Sequence, residues 1–147
     1  MKKPIFIGAV GCGKTTLCQR LLGSALSYKK TQAIEFYRGN QVIDTPGEFL
    51  EHRERYSALT ITAVDADVVV LLQSAADHRQ TFSPNFGSMF PKPKIGIVTK
   101  LDAATSQHDI DWASNQLISA GAEKVFYVSA KCNDGVELVS RFLKIAQ

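Results

Sequence analysis

Short apolar runs alternate with amphipathic segments along the whole chain. The apolar runs predict buried strands, and the segments with helical spacing of apolar residues predict helices. Strand followed by helix, repeated, implies right-handed crossovers and a parallel sheet that is covered on both faces. The predicted strands are residues 4–8, 32–37, 41–43, 68–73, 95–99 and 125–129, and the predicted helices are residues 15–22, 51–64, 109–120 and 136–145.

Two places depart from this alternation. Arg38-Gly39-Asn40, between the second and third strands, has hairpin turn chemistry, which predicts an antiparallel pair there. Residues 75–94 contain three prolines and show little periodicity, so they predict a long loop with at most a short helix. The pattern therefore predicts an α/β fold with a mostly parallel six-stranded sheet and one antiparallel edge strand.

Composition places the chain among ordinary globular proteins. Its 147 residues fit a single domain, 1–147, and its 45% hydrophobic and 21% charged residues exclude a disordered or coiled-coil protein. A net charge of +3 is too small for a dedicated nucleic-acid binder, and no apolar stretch is long enough to span a membrane. Three cysteines without a C-x-x-C pair are typical of reduced thiols in the cytoplasm.

The residues after the first strand carry the strongest chemical signal. The segment from Gly8 to Thr15, GAVGCGKT, matches the Walker A pattern G-x-x-x-x-G-K-[ST] of a P-loop. Glycines let such a loop curl until backbone N–H groups face phosphate oxygens, and the next helix adds the positive end of its dipole. Lys14 is predicted to reach the β- and γ-phosphates and Thr15 to bind Mg²⁺. The other predicted nucleotide contacts of this loop are Gly8, Gly11, Cys12, Gly13 and Thr16.

A second motif, Asp44-Thr45-Pro46-Gly47, follows the third strand and matches D-x-x-G. An aspartate there can orient Mg²⁺ through water, and the N–H of Gly47 can bind the γ-phosphate. Thr31 lies between the phosphate loop and Asp44, where a threonine can close onto Mg²⁺ only when triphosphate is bound. The predicted metal ligands are therefore Thr15, Thr31 and Asp44; an ordinary turn and a strand-leading threonine are the alternative interpretations.

Two motifs at the ends of later strands predict a guanine site. Asp102, in Thr99-Lys100-Leu101-Asp102, can accept hydrogen bonds from guanine N1–H and the 2-amino group, a donor pair that adenine lacks. Lys100 would cover the base with its aliphatic stem; a loop with a helix cap is the alternative. In Ser129-Ala130-Lys131, a backbone N–H can meet guanine O6 and Lys131 can lie near the ring.

Together the four motifs resemble those of guanine-nucleotide-binding P-loop GTPases over nearly the whole chain. One departure is Thr99, where asparagine is usual; threonine keeps a hydroxyl but loses the amide that braces the phosphate loop. Residues 30–35 (KTQAIE), 43–49 (IDTPGEF) and 56–59 (YSAL) are similar to the ethanolamine/propanediol-utilisation P-loop proteins (EutP/PduV), and Ser83-Pro84 favours the propanediol branch. That resemblance implies a three-layer G-domain-like fold and a cytoplasmic protein associated with bacterial microcompartment metabolism, with GTP or GDP and Mg²⁺ as cofactors.

Glu48 follows D-x-x-G, where many small GTPases have a glutamine that orients water. A carboxylate cannot donate to the transferring phosphoryl group, although it can accept a proton from an attacking water or hydroxyl. With Lys14 and Thr31 as the other catalytic candidates, the sequence predicts a slowly hydrolysing GTPase-like switch that needs an activating protein. Two alternatives stay open: a phosphotransferase using ATP and acetate, and a nucleotide-binding scaffold that docks a microcompartment shell or enzyme.

Overall fold

The chain alternates strands and helices, as its hydrophobic pattern predicts. The computed structural model describes residues 3–9, 11–21, 35–37, 42–45, 47, 53–77, 82–129 and 135–143. Within those ranges the strands are β1 (Pro4–Gly8), β2 (Glu35–Tyr37), β3 (Val42–Asp44), β4 (Val68–Ser74), β5 (Lys94–Thr99) and β6 (Val125–Tyr127). The α-helices of the same ranges are α1 (Lys14–Leu21), α2 (Tyr56–Ala63), α3 (Gln107–Ala120) and α4 (Val136–Leu143), and short 3₁₀ turns cover Arg53–Arg55, Phe86–Met89 and Leu101–Ala103.

The described strands form one sheet in the order β2-β3-β1-β4-β5-β6. β2 pairs antiparallel with β3, and the other neighbouring pairs are parallel. β1 and β4 are buried along their whole length, as expected for strands that are covered on both faces. The predicted α/β fold with a mostly parallel sheet is confirmed. Because parallel strands end at the same edge, the segments that follow β1, β3, β5 and β6 meet there.

Apolar side chains form one core layer on each face of the sheet. Successive residues of a strand point to opposite faces, so Ile5 and Ile7 of β1 enter one layer and Phe6 enters the other. Leu59 of α2 and Leu117 of α3 belong to the first layer. The second layer holds Leu17 of α1 and Val139 and Leu143 of α4. Helices α2 and α3 therefore cover one face, and α1 and α4 cover the other.

Between β4 and β5, three phenylalanine rings fill the core. Phe82, Phe86 and Phe90 are between 1% and 3% exposed, and the centroids of successive rings are 5.2 and 5.7 Å apart. Tyr56, at the start of α2, meets Phe86 edge-on at 5.3 Å. The prediction of a loop with at most a short helix is confirmed for the described part of 75–94, where the helical segment is the 3₁₀ turn Phe86–Met89; residues 78–81 lie outside that part.

Several predicted boundaries were wrong by a few residues. In the described part of the predicted helix 51–64, the 3₁₀ turn Arg53–Arg55 precedes α2, which begins at Tyr56, and no side-chain hydrogen bond caps the first turn of α2; residues 51–52 lie outside that part. α3 begins two residues earlier than predicted, at Gln107, and the carboxylate of Asp109 in its first turn accepts from the N–H and the hydroxyl of Thr105 just before the helix. β6 ends at Tyr127, and the carbonyl of the next residue, Val128, accepts from Leu101 N–H in the loop after β5. In the described ranges, no helix has the length and apolar character needed to cross a membrane.

The aromatic cluster gives a stability prediction. Phe86→Ala should lower the free energy of unfolding by about 3–5 kcal/mol, because it removes a ring that packs against Phe82, Phe90 and Tyr56. Urea denaturation measures this loss. Ile61→Ala is the control: Ile61 is 72% exposed on α2, so the change should stay within about 0.5 kcal/mol. A loss at Phe86 as small as that of the control would contradict the packing role.

Candidate functional site

The loop between β1 and α1 turns on two glycines. Gly11 and Gly13 have φ angles of +82° and +91°, in the left-handed region that favours glycine. Inside the loop, the N–H of Cys12 donates to the carbonyl of Ala9 at 3.2 Å. Lys14 begins α1 and is 6% exposed. The chain thus curls through a tight loop straight into a helix N-terminus, as phosphate-binding loops do.

Gly8 and Cys12 pack against each other beneath this loop. A Cβ on Gly8 would lie 2.5 Å from the Sγ of Cys12 and 3.2 Å from the Cβ of Leu72, so no larger residue fits at position 8. The Cys12 side chain is buried in the core layer that α1 and α4 cover. A contact of Cys12 with nucleotide would therefore come from its main chain.

Two side chains from the end of β5 hold the phosphate loop. The hydroxyl of Thr99 donates to the carbonyl of Cys12 at 2.5 Å, and Thr99 is only 3% exposed. The ammonium of Lys100 donates to the carbonyl of Gly11 at 2.6 Å. Thr99 lacks the amide that asparagine would supply, and the hydroxyl that it keeps makes a bond to the phosphate loop in its place.

Asp102 and Ser129 lie at the ends of neighbouring strands and are directly bonded. The hydroxyl of Ser129, which is 2% exposed, donates to Oδ1 of Asp102 at 2.6 Å. Asp102 itself is exposed, in the 3₁₀ turn that follows β5. Lys100, just before this turn, has a φ of +56°, so the chain reverses sharply where the strand ends. The result is a surface carboxylate whose orientation is fixed by a buried hydroxyl.

The D-x-x-G segment is attached to β1. Asp44 ends β3 in register with Phe6. The next residue, Thr45, is 1% exposed and donates from Oγ1 to the carbonyl of Phe6 at 2.7 Å. Gly47 is buried beyond it. This segment therefore leaves the sheet at the same edge as the phosphate loop, beside the strand that leads into that loop.

The structure thus brings the described candidates to one edge of the sheet, at the ends of β1, β3, β5 and β6. Sequence reasoning missed the role of Thr45, although a hydroxyl residue followed by proline at a strand end is a readable signal. Four candidates lie outside the described residues, namely Thr31, Glu48, Ala130 and Lys131, and so do the side chains of Thr15 and Asp44.

A solved structure shows which class this fold belongs to. Translation elongation factor SelB from Methanococcus maripaludis, solved in complex with the GTP analogue GPPNHP, matches with a TM-score of 0.69 at 20% sequence identity. The match covers 97% of this chain and 33% of that chain, so this protein corresponds to about a third of SelB. The protein therefore has an α/β fold with a parallel sheet that resembles a GTPase G-domain.

Sequence relatives narrow the class to one family. Propanediol utilization protein PduV of Citrobacter freundii is 46% identical over 143 residues, covering 97% of this chain and 93% of that protein. Probable acetate kinase EutP of Escherichia coli (strain K12) is 33% identical over 128 residues, 86% of this chain and 79% of that protein. The PduV-EutP family, "Ethanolamine utilisation - propanediol utilisation", matches residues 1–145. The chain belongs to this family, which confirms the resemblance of its motifs.

The brace on the phosphate loop gives a prediction for hydrogen exchange. Thr99→Val keeps the side-chain shape but removes the donor to the Cys12 carbonyl, so the amides of residues 11–17 should exchange faster than in the wild type. Thr99→Ser keeps the hydroxyl and should leave this exchange unchanged. If valine and serine give the same exchange rates as the wild type, the hydroxyl does not hold the loop.

Proposed function

We propose that this protein binds a guanine nucleotide with Mg²⁺ at the C-terminal edge of its sheet and hydrolyses GTP slowly, as a GTPase-like protein of propanediol or ethanolamine utilisation. The observation that supports guanine is the pair of Asp102 and Ser129. A surface carboxylate that a buried hydroxyl orients can accept from guanine N1–H and the 2-amino group. Adenine presents no such pair of donors, so Asp102 would discriminate between the two bases.

The geometry of the phosphate loop supports the proposal that the phosphates of the nucleotide bind there. A peptide N–H points opposite to its carbonyl, so the bond from Thr99 to the Cys12 carbonyl turns the Gly13 N–H to the other side of the loop. The first N–H groups of any helix have no partner within the helix and carry partial positive charge. We assign the phosphates to Gly8, Gly11, Cys12, Gly13, Lys14, Thr15 and Thr16, and the base to Thr99, Lys100, Asp102, Ser129, Ala130 and Lys131.

Mg²⁺ fits the residue types at this edge. Helix α1 packs against β3. Thr15 lies in the first turn of α1 and Asp44 is the last residue of β3, so the two residues belong to elements that are in contact. Hydroxyl and carboxylate oxygens are ligands that Mg²⁺ accepts, usually together with water and phosphate oxygens. We assign Thr15, Thr31 and Asp44 to the metal and Gly47 to the γ-phosphate. When bound, the ion would neutralise charge on the phosphates.

Base selectivity is the direct test of this function. Excess GTP or GDP should raise the melting temperature, and ATP should not. At a ligand concentration of a hundred times Kd, binding adds about 2.7 kcal/mol to the free energy of unfolding. Asp102→Asn should weaken stabilisation by GTP and gain stabilisation by xanthosine triphosphate, because the amide donates to the C2 carbonyl of xanthine. Asp111→Asn removes the same charge from an exposed position of α3 and is the matched control. If both variants lost the same amount of stabilisation by GTP, Asp102 would not be the residue that recognises guanine.

A phosphotransferase that uses ATP and acetate is the second candidate. It is favoured by the 33% identity to the Escherichia coli protein named Probable acetate kinase EutP. Such a reaction moves the γ-phosphoryl group to a carboxylate oxygen of acetate and leaves ADP and acetyl phosphate. Stabilisation by ATP but not GTP, together with transfer of label from ATP to acetate, would replace the GTPase proposal with this one.

Slow turnover is the second prediction from this function. Glu48 cannot donate to the transferring phosphoryl group, so the purified protein with GTP and Mg²⁺ should release phosphate at well below about one turnover per second. A positive charge that an activating protein, shell protein or enzyme adds to the site would raise this rate by about 10³–10⁵. Phosphate release by the isolated protein at several turnovers per second would contradict this mechanism.

A further inference from the structure

One buried hydroxyl fastens the D-x-x-G segment to the central strand. Thr45 donates from Oγ1 to the main-chain carbonyl of Phe6 at 2.7 Å, and only 1% of Thr45 is exposed. We infer that Thr45 is a positioning residue that fixes the N–H of Gly47 relative to the phosphate loop, and thereby couples the γ-phosphate and Mg²⁺ to β1; this role rests on the proposed function.

Thr45 makes this link where the regular pairing of β3 with β1 stops. The register between the two strands runs through Ile43 and Asp44, with Asp44 opposite Phe6. Residue 46 is proline, which has no N–H and cannot donate to a neighbouring strand. The hydroxyl of Thr45 therefore extends the attachment to β1 by one residue beyond Asp44.

The acceptor strand is the one that carries the phosphate loop. Phe6 lies two residues before Gly8, the first glycine of that loop, and both belong to β1. A shift of Thr45 relative to Phe6 would thus change the separation between Gly47 and the phosphate loop. GTP has a γ-phosphate and GDP has none, so such a shift should weaken GTP binding more than GDP binding. A residue that merely stabilised the fold would affect both nucleotides alike.

The test compares the two nucleotides in matched variants. Thr45→Val keeps the shape and removes the hydroxyl, whereas Thr45→Ser keeps the hydroxyl. We expect Thr45→Val to weaken a non-hydrolysable GTP analogue about tenfold in the presence of Mg²⁺, with GDP affinity changed less than about threefold. In EDTA, which removes Mg²⁺, the affinities of the variant and the wild type for the GTP analogue should differ less. Thr45→Ser should behave as the wild type, and fluorescent-nucleotide displacement gives all of these affinities.

The outcomes separate this role from its alternatives. Equal weakening of GTP and GDP in Thr45→Val, or unchanged affinity for both, overturns the positioning role. If Thr45→Val loses its cooperative melting transition, Thr45→Cys, which keeps the size with only a weak S–H donor, takes its place under the same criteria. Failure of the wild type itself to bind the GTP analogue would overturn the proposed function and this role together, and the wild-type titration shows that directly.

Discussion

The phosphate loop keeps its shape because side chains from the end of β5 hold two of its carbonyl oxygens. A glycine-rich loop has many conformations to lose on folding, so its own sequence does not select one of them. Thr99 and Lys100 fix one conformation through hydrogen bonds to Cys12 and Gly11. These partners are separated in sequence by 87 and 89 positions, respectively. The direction of the Gly13 N–H follows from the bond that Thr99 makes to the Cys12 carbonyl, because both groups belong to the same peptide unit. The phosphate side of the proposed site thus depends on contacts that are made outside the loop.

The same bonds join the two halves of the proposed site. Lys100 touches the phosphate loop, and Asp102, two residues further on, is held by Ser129 after β6. The ends of β1, β5 and β6 are therefore linked by side-chain hydrogen bonds as well as by the sheet. Thr45 adds the end of β3 to this set. A change in the loop that is proposed to bind the base would be transmitted to the phosphate loop through these hydrogen bonds.

Local patterns predicted the strands and helices well. A strand that is buried on both faces is a continuous apolar run, and a helix that is buried on one side has apolar residues at helical spacing. Residues 4–8 are apolar apart from Pro4 and Gly8 and form β1 as predicted, and separate motifs identified Asp102 and Ser129. The missed features are contacts between distant residues. Whether the Thr99 hydroxyl reaches Cys12, or that of Thr45 reaches Phe6, depends on strand register and side-chain rotamer, which no local pattern contains.

The central position of β1 also has a consequence for synthesis. β1 is translated before the other described strands, yet its pairing with β4 joins Pro4 to Val68, and the loop that follows it is held by Thr99 and Lys100. Contacts of such long sequence separation form late, after most of the chain is available. β1 can pair with β3 once Ile43 and Asp44 have been made, but the bonds that hold the following loop cannot form before Thr99 and Lys100 are translated. A nucleotide that bound only the folded state would accordingly stabilise the chain after residue 100 has been translated, and not its first segment alone.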